Sequence, residues 1–277
     1  MKHIGKILPF LVLFVFCLSA QAQELKLISF NIRYNSWDNI DGDNGWPNRK
    51  AAVVKMINKE KPAAIGLQEA LIDQLSYLDS CLPSYRRIGV GRDDGKQKGE
   101  FMAIYYDTAR LELVDCRTRW LSETPDEPSL GWDAACRRTV TAARFRDRRS
   151  DRELYYLNTH LDHVGKTARA EGAQQIAELA NSYEEHEVPV IIGGDMNSTI
   201  DDEIFQAFYL AGFKAARDIP SETSRIDTYT GFGKDKPSMI DHFFVRDINV
   251  HRFSTLDGDY GVPYISDHYP IEVVIEL

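Results

Sequence analysis

The run Val188-Pro189-Val190-Ile191-Ile192-Gly193-Gly194-Asp195-Met196-Asn197 constrains the fold of this chain more than any other stretch. It reads as a buried strand that stops at a glycine pair and delivers Asp195 and Asn197 at its end. A carboxylate and an amide two residues apart can share one small polar site at the rim of a sheet. Alone, the run reads better as an acidic turn after a strand. It has company, however. Asn31, Glu69, His160, Asp241 and the pair Asp267-His268 all sit just after short apolar, strand-like runs. Such a rim of Asp, Asn, Glu and His suits a metal-assisted hydrolase.

Residues 1–22 read as an export signal, which implies a periplasmic or secreted protein. Lys2 and Lys6 precede an apolar run from Ile7 to Leu18, and Ala20-Gln21-Ala22 fits a small-x-small cleavage site. The run is short for a membrane span, so stable membrane insertion is not expected after cleavage. Cys17 offers a lipoprotein alternative, disfavoured because Val15-Phe16 places no small residues before it. Cleavage leaves 255 residues, 23–277, with no linker or repeat to divide them, so a single domain is expected. Without Lys2 and Lys6 the 33 basic residues become 31 against 42 acidic ones, a formal charge of −11. That balance disfavours an extensive electrostatic hold on DNA or an anionic membrane. A bound divalent cation changes the local field, so a nuclease stays open. Cys81, Cys116 and Cys136 allow at most one internal disulfide, and their spacing matches no zinc motif. Nothing points to an obligate protein partner.

Strands are expected at Leu25 to Phe30, Ala63 to Leu67, Met102 to Tyr106, Leu111 to Val114, Thr139 to Phe145, Glu153 to Asn158, Ser238 to Val245 and Tyr269 to Ile275. Helical spacing marks Arg49 to Lys59, Asp73 to Leu78, Thr167 to Tyr183 and Ile204 to Ala211, the last ending at Gly212. The stripe of the third comprises Ala170, Ala173, Ile176, Ala177, Ala180 and Tyr183. Strands outnumber helices, and helices interrupt runs of strands. Two sheets packed face to face with helices outside fit this better than a doubly wound sheet.

Phosphate ester hydrolysis needs an activated water, neutralised non-bridging oxygens and help for the departing oxygen. Magnesium favours a few carboxylates plus retained waters, and Glu69, Asn31 and Asp267 make such an oxygen-rich set. His160 has Asp162 two residues on, and His268 follows Asp267; local spacing does not show which carboxylate orients which ring.

Seven blocks carry a resemblance to a known family. They are Ser29-Phe30-Asn31, Gly66-Leu67-Gln68-Glu69, Gly99 to Ile104, Asn158-Thr159-His160-Leu161-Asp162, Gly193 to Asn197, and Ile240-Asp241-His242 with Ser266-Asp267-His268 closing the series. In this order they resemble the endonuclease/exonuclease/phosphatase superfamily of magnesium-dependent, DNase I-like hydrolases. The resemblance implies an α+β, four-layer α/β/β/α sandwich with two mostly antiparallel sheets and an active site at one edge. It implies that Glu69 binds Mg2+ (Mn2+ can substitute), with Asn31 and Asp267 helping. It gives Asp195 the attacking water and Asn197 the scissile phosphate. His268 and His160 work at the phosphate, oriented by Asp241 and Glu100 respectively.

These motifs specify phosphoester cleavage but not the molecule cleaved. The loop Gly89 to Gly99 offers Arg92, Lys96 and Lys98 to phosphate oxygens, or is simply an exposed charged loop. Asn35 to Pro47, with Trp37 and Trp46, either stacks on a base or sugar or folds over the core. Trp120 to Pro125 and Gly131-Trp132-Asp133 resemble a segment of uncharacterised secreted bacterial members, and Arg138, which follows, is a candidate to face the cleft. No long basic arm or aromatic-interleaved basic tract is present. A small phosphorylated molecule or nucleotide is therefore favoured as substrate. A nonspecific nuclease and a catalytically inactive phosphate-ligand binding protein are the alternatives.

Overall fold

Period-two alternation in β1 (Glu24–Asn31) sets the layering. Leu25 and Leu27 enter one apolar layer, and Ile28 and Phe30 enter another. Successive strand side chains point to opposite faces, so both faces of this strand are covered. The computed structural model describes residues 24–36, 38–183 and 188–277. The expected export signal and Trp37 lie outside the described residues.

Strand β1 joins β2 (Ala64–Ala70), β3 (Tyr85–Ile88), β4 (Phe101–Asp107), β10 (Glu222–Thr223), β12 (Asn249–Thr255) and β13 (Ile271–Glu276). The sheet order is β10-β12-β13-β1-β2-β4-β3. A second sheet holds β5 (Leu111–Trp120), β6 (Thr139–Asp147), β7 (Glu153–His160), β8 (Val190–Asp195), β9 (Lys214–Ala215) and β11 (Asp241–Arg246). Its order is β5-β6-β7-β8-β11-β9. Only the β1/β2, β10/β12 and β7/β8 neighbours run parallel among the described pairs. Leu27, Ile104, Phe145, Tyr156, Ile191, Phe243 and Val273 fill the space between the sheets. Helices α1 (Trp46–Glu60) and α2 (Ile72–Cys81) cover the outer face of the first sheet through Val53, Met56, Leu75 and Leu78. Helices α3 (Lys166–Asn181) and α4 (Gln206–Leu210) cover the second through Ala173, Ile176, Ala177 and Phe208. The result is the expected α/β/β/α sandwich.

Several elements differ from their sequence reading. Strand β8 does not stop at the glycine pair but runs through it to Asp195. A Cβ on Gly193 would stand 2.5 Å from the Phe243 ring, and one on Gly194 would collide with the Thr159 carbonyl. The glycines admit close neighbours rather than end the strand. Strand β5 continues six residues past Val114 because it lies at a sheet edge, where Asp115, Cys116 and Arg117 face solvent. The expected helix from Ile204 divides into a 3-10 turn, Glu203–Phe205, capped by Asp202, and the short α4. Gly212 does follow in the left-handed region, at φ 83°. Ala170, expected on the buried stripe of α3, is exposed. Trp46 is buried, edge-on to Tyr77, and does not offer a ring to a ligand. Among the described residues, Cys81, Cys116 and Cys136 are unpaired, and no helix is long and apolar enough to cross a membrane.

Ile191 faces the other sheet and Ile192 faces α3, and both are fully buried. Ile191→Asp and Ile192→Asp each bury an unpaired charge and are expected to cost about 3–5 kcal/mol. Chemical denaturation of the two variants reads this directly. Near-wild-type midpoints would contradict the placement.

Candidate active site

Strand register builds the centre of the site. His160 ends β7, Asp195 ends β8 and Asp241 begins β11, and the three are cross-strand neighbours in one row. Asn31 ends β1 in the other sheet. Its Nδ2 donates to Asp195 Oδ2 at 2.9 Å and to Glu69 Oε1 at 3.0 Å. One amide therefore ties the two sheets together at their common edge. Glu69 lies where the β2–β4 register shifts, with φ 61°, and Asn197 follows β8 with φ 49°. Left-handed backbone at non-glycine residues costs about 1 kcal/mol or more each, and such residues cluster at functional sites.

Asp195 is the hub. Its Oδ1 accepts the Asn197 backbone N–H at 2.9 Å, and its Oδ2 lies 3.5 Å from His160 Nε2 and 3.6 Å from His268 Nε2. His268 Nδ1 meets Asp241 Oδ2 at 2.8 Å. Burial, then the neighbouring Asp241 carboxylate, pushes the Asp195 carboxyl up to about 7. Burial alone would depress the His268 ring, but the Asp241 and Asp195 carboxylates outweigh it and push it up to about 10. His160 is held well below its ordinary value by burial, then by Arg138 and Arg92. Asn197 Nδ2 contacts His160 Nε2 at 2.9 Å and donates to the Leu161 carbonyl at 3.0 Å.

One expected pairing is corrected. Glu100 does not orient His160. Its two oxygens accept both terminal nitrogens of Arg92, at 2.7 and 2.9 Å, and the buried Nδ1 of His160 has no hydrogen-bond partner among the described residues. Arg92 is drawn to Glu100 because the intervening loop folds back, with Arg92 N–H donating to the Glu100 carbonyl. Arg92 lines the cleft as an engaged ion pair rather than a free cation. Lys96 and Lys98 are exposed and do not line it. Arg138 does line it, with Nε on Asp162 Oδ2 at 3.2 Å.

The donor chemistry fits a hard divalent cation. Glu69 and Asp267 are carboxylates on either side of Arg33, whose nitrogens stand 4.0 and 3.8 Å from them, too far for hydrogen bonds. Burial raises the Asp267 carboxyl, so added positive charge stabilises its ionised form. Asp195, Asp241 and His268 also place ligand atoms within 4.8 Å of one another. There, however, the His268–Asp241 bond already engages two of the three. A third group, Cys136, Asp162 and His163, has Arg138 on its carboxylate and ring nitrogen.

The cleft measures about 630 Å³. It also admits Arg33, Tyr34, His163 and Tyr229, which sequence reasoning missed. Arg33 lies two residues after Asn31, in a left-handed turn (φ 57°), and is held by both oxygens of Asp41 at 3.1 and 3.2 Å. Arg49 was also missed, read only as the start of a helix. It is buried, and its Nη1 donates to the Ile32 and Ile265 carbonyls at 2.8 Å each. It thereby braces the segments leading from Asn31 and into Asp267.

The model for the endonuclease/exonuclease/phosphatase family matches residues 28–268. A mannosyl-6-phosphatase of Bacteroides thetaiotaomicron is 32% identical and superposes with a TM-score of 0.86, over 91% of this chain and 100% of that one. A family protein from Bacteroides vulgatus is also 32% identical with a TM-score of 0.86, over 92% and 99% of the two chains. An uncharacterised protein, L388, of Acanthamoeba polyphaga mimivirus is 24% identical over 83% of this chain and 92% of its own.

The His268–Asp241 contact makes a direct forecast. In metal-free protein the His268 ring stays protonated at about pH 8, and in Asp241→Asn it is neutral there. Imidazole nitrogen NMR reads the protonation state. An unchanged ring in the variant would show that Asp241 does not set it.

Proposed function

Because the chain belongs to the endonuclease/exonuclease/phosphatase family, we propose that it is an exported, magnesium-dependent phosphoesterase acting on a small soluble phosphomonoester. The carrying observation is the Asp195 carboxylate, bonded to Asn31 of the opposite sheet and within 3.6 Å of both His160 and His268. Export rests on the charged and apolar segments of residues 1–22 and on the Ala20-Gln21-Ala22 site.

Glu69 and Asp267 would hold the ion, with Asn31 alongside. When bound, it supplies charge neutralisation to the phosphate and the departing oxygen. The chain's own groups do the rest. Asp195, its carboxyl raised toward neutral pH, accepts a proton from the attacking water. Asn31 and the Asn197 N–H keep that carboxylate in one orientation. His268, positioned by Asp241, presents Nε2–H to the non-bridging phosphate oxygens. His160 and Asn197, joined through ring and amide, form the wall facing that phosphate.

A cleft of about 630 Å³ has the size of a small-molecule site. The mannosyl-6-phosphatase at 32% identity supports a sugar phosphate as substrate. The formal charge of −11 on residues 23–277 argues against a polyanionic duplex.

Chelation is expected to abolish turnover, and magnesium or manganese to restore it. Glu69→Ala is expected to require more metal or lose activity while keeping its circular dichroism spectrum. Full activity in excess chelator would overturn the metal requirement. On a panel of sugar phosphates, nucleotides, inositol phosphates and DNA, the highest rate is expected on a small monoester. Efficient DNA cleavage with no small-substrate turnover would instead support the nuclease.

Asp241→Asn is expected to cost roughly ten- to a hundredfold in kcat. His268→Ala costs more, and the double variant little beyond that. Additive losses would show that the two do not act as a pair.

A further inference from the structure

The turn after β7 holds charged groups that the proposed chemistry does not use. The Asp162 side chain is fully buried. Its Oδ1 accepts the backbone N–H groups of Ala135, Val164 and Gly165 at 3.2, 3.0 and 2.7 Å. Burial opposes its ionisation, but these donors and Arg138 hold the carboxyl well below the usual carboxylate range. Arg169 Nη1 donates to the Asp162 carbonyl at 2.9 Å. The turn is therefore rigid.

Arg138 transmits that rigidity to the cleft. It is 5% exposed, with Nε on Asp162 and Nη2 at 2.9 Å from His163 Nδ1. A guanidinium only donates, so Nδ1 of His163 is the acceptor and the ring carries its proton on Nε2. The ring is exposed and lines the same cleft as His160 and Asn197. A buried ion pair is an expensive way to hold a surface histidine for stability alone. Here it fixes the tautomer and direction of a single neutral N–H donor beside the phosphate site.

We propose that His163 and Arg138 form a hydroxyl-binding subsite for the non-reacting polyol part of the substrate. This rests on the phosphoesterase reading above. Two observations select hydroxyls over other groups. The positive charges at this end are already matched, Arg92 by Glu100 and Arg138 by Asp162, so little is left for a second phosphate. Among the described residues, the phenol rings lining the cleft, Tyr34 and Tyr229, stand with Arg33 and His268 rather than with His163, so neither is placed to sandwich a nucleobase against it.

The test compares a hexose 6-phosphate with p-nitrophenyl phosphate, which has no leaving-group polyol, in magnesium-loaded wild type, His163→Ala and His163→Gln. One neutral hydrogen bond corresponds to roughly a three- to tenfold effect. His163→Ala is expected to lower the hexose-to-aryl ratio of kcat/KM by that factor, chiefly through the hexose KM, with an unchanged melting temperature. His163→Gln keeps an N–H donor and is expected to recover part of the ratio. An unchanged ratio in His163→Ala would overturn the subsite, as would a glutamine variant no better than alanine. Wild-type turnover of the aryl ester without the hexose ester would overturn the subsite and leave the phosphoesterase standing. Turnover of neither would overturn both.

Discussion

Buried amides lock the two sheets together beneath the site, and the rest of the structure depends on that lock. Asn158 of the second sheet donates to the Leu67 and Ala103 carbonyls of the first, at 2.9 Å each. Gln68 Nε2 returns a bond of 2.6 Å to Asn158 Oδ1 and one of 3.0 Å to Ser29 Oγ. Tyr156 Oη donates to the Ile28 carbonyl at 2.8 Å. Apolar packing between sheets is non-directional and leaves them free to slide. Buried hydrogen bonds are directional and costly to leave unmade. Gly66 is part of the same device, since a Cβ there would stand 2.6 Å from Tyr156 Oη.

The site inherits its precision from this seam. Asn31 and Asp195 come from different sheets, yet their side chains must meet within hydrogen-bond range. Around them the chain concentrates carboxylates that repel one another. Asp195 and Glu69 are kept in place by Asn31, Asp241 by His268 and Asp267 by the Ser266 hydroxyl. Arg49 braces the backbone from behind, although burial lowers its guanidinium to about 10. Arg33 approaches Glu69 and Asp267 without bonding to either, because Asp41 holds it back. The carboxylates keep lone pairs free, as a cation site requires.

Much of this was legible in the chain because of where residues stand. Val190, Ile191 and Ile192 are apolar in sequence because the strand is covered on both faces. Asn31, His160 and Asp195 are visible because each ends such a strand. The family resemblance, rather than spacing, paired Asp241 with His268. Glu100 was misassigned because its partner depends on how residues 91–99 fold back, which no periodicity encodes. Arg49 was hidden because the Ile265 carbonyl it serves lies 216 positions away. His163 was hidden because its meaning comes from Arg138, on a different strand–loop junction. Strand β12 escaped because its alternation is short and mixed with polar residues.

The central claim is that the edge of this sandwich is a divalent-metal phosphate site organised by Glu69 and Asp195. The most direct test is a crystal of the protein grown with Mn2+ and inorganic phosphate, measured for anomalous scattering. The account predicts a manganese peak within about 2.3 Å of a Glu69 oxygen, with phosphate between it and the His160–Asn197 wall. A peak bound elsewhere, or phosphate ordered away from Asp195 and His268, would contradict it.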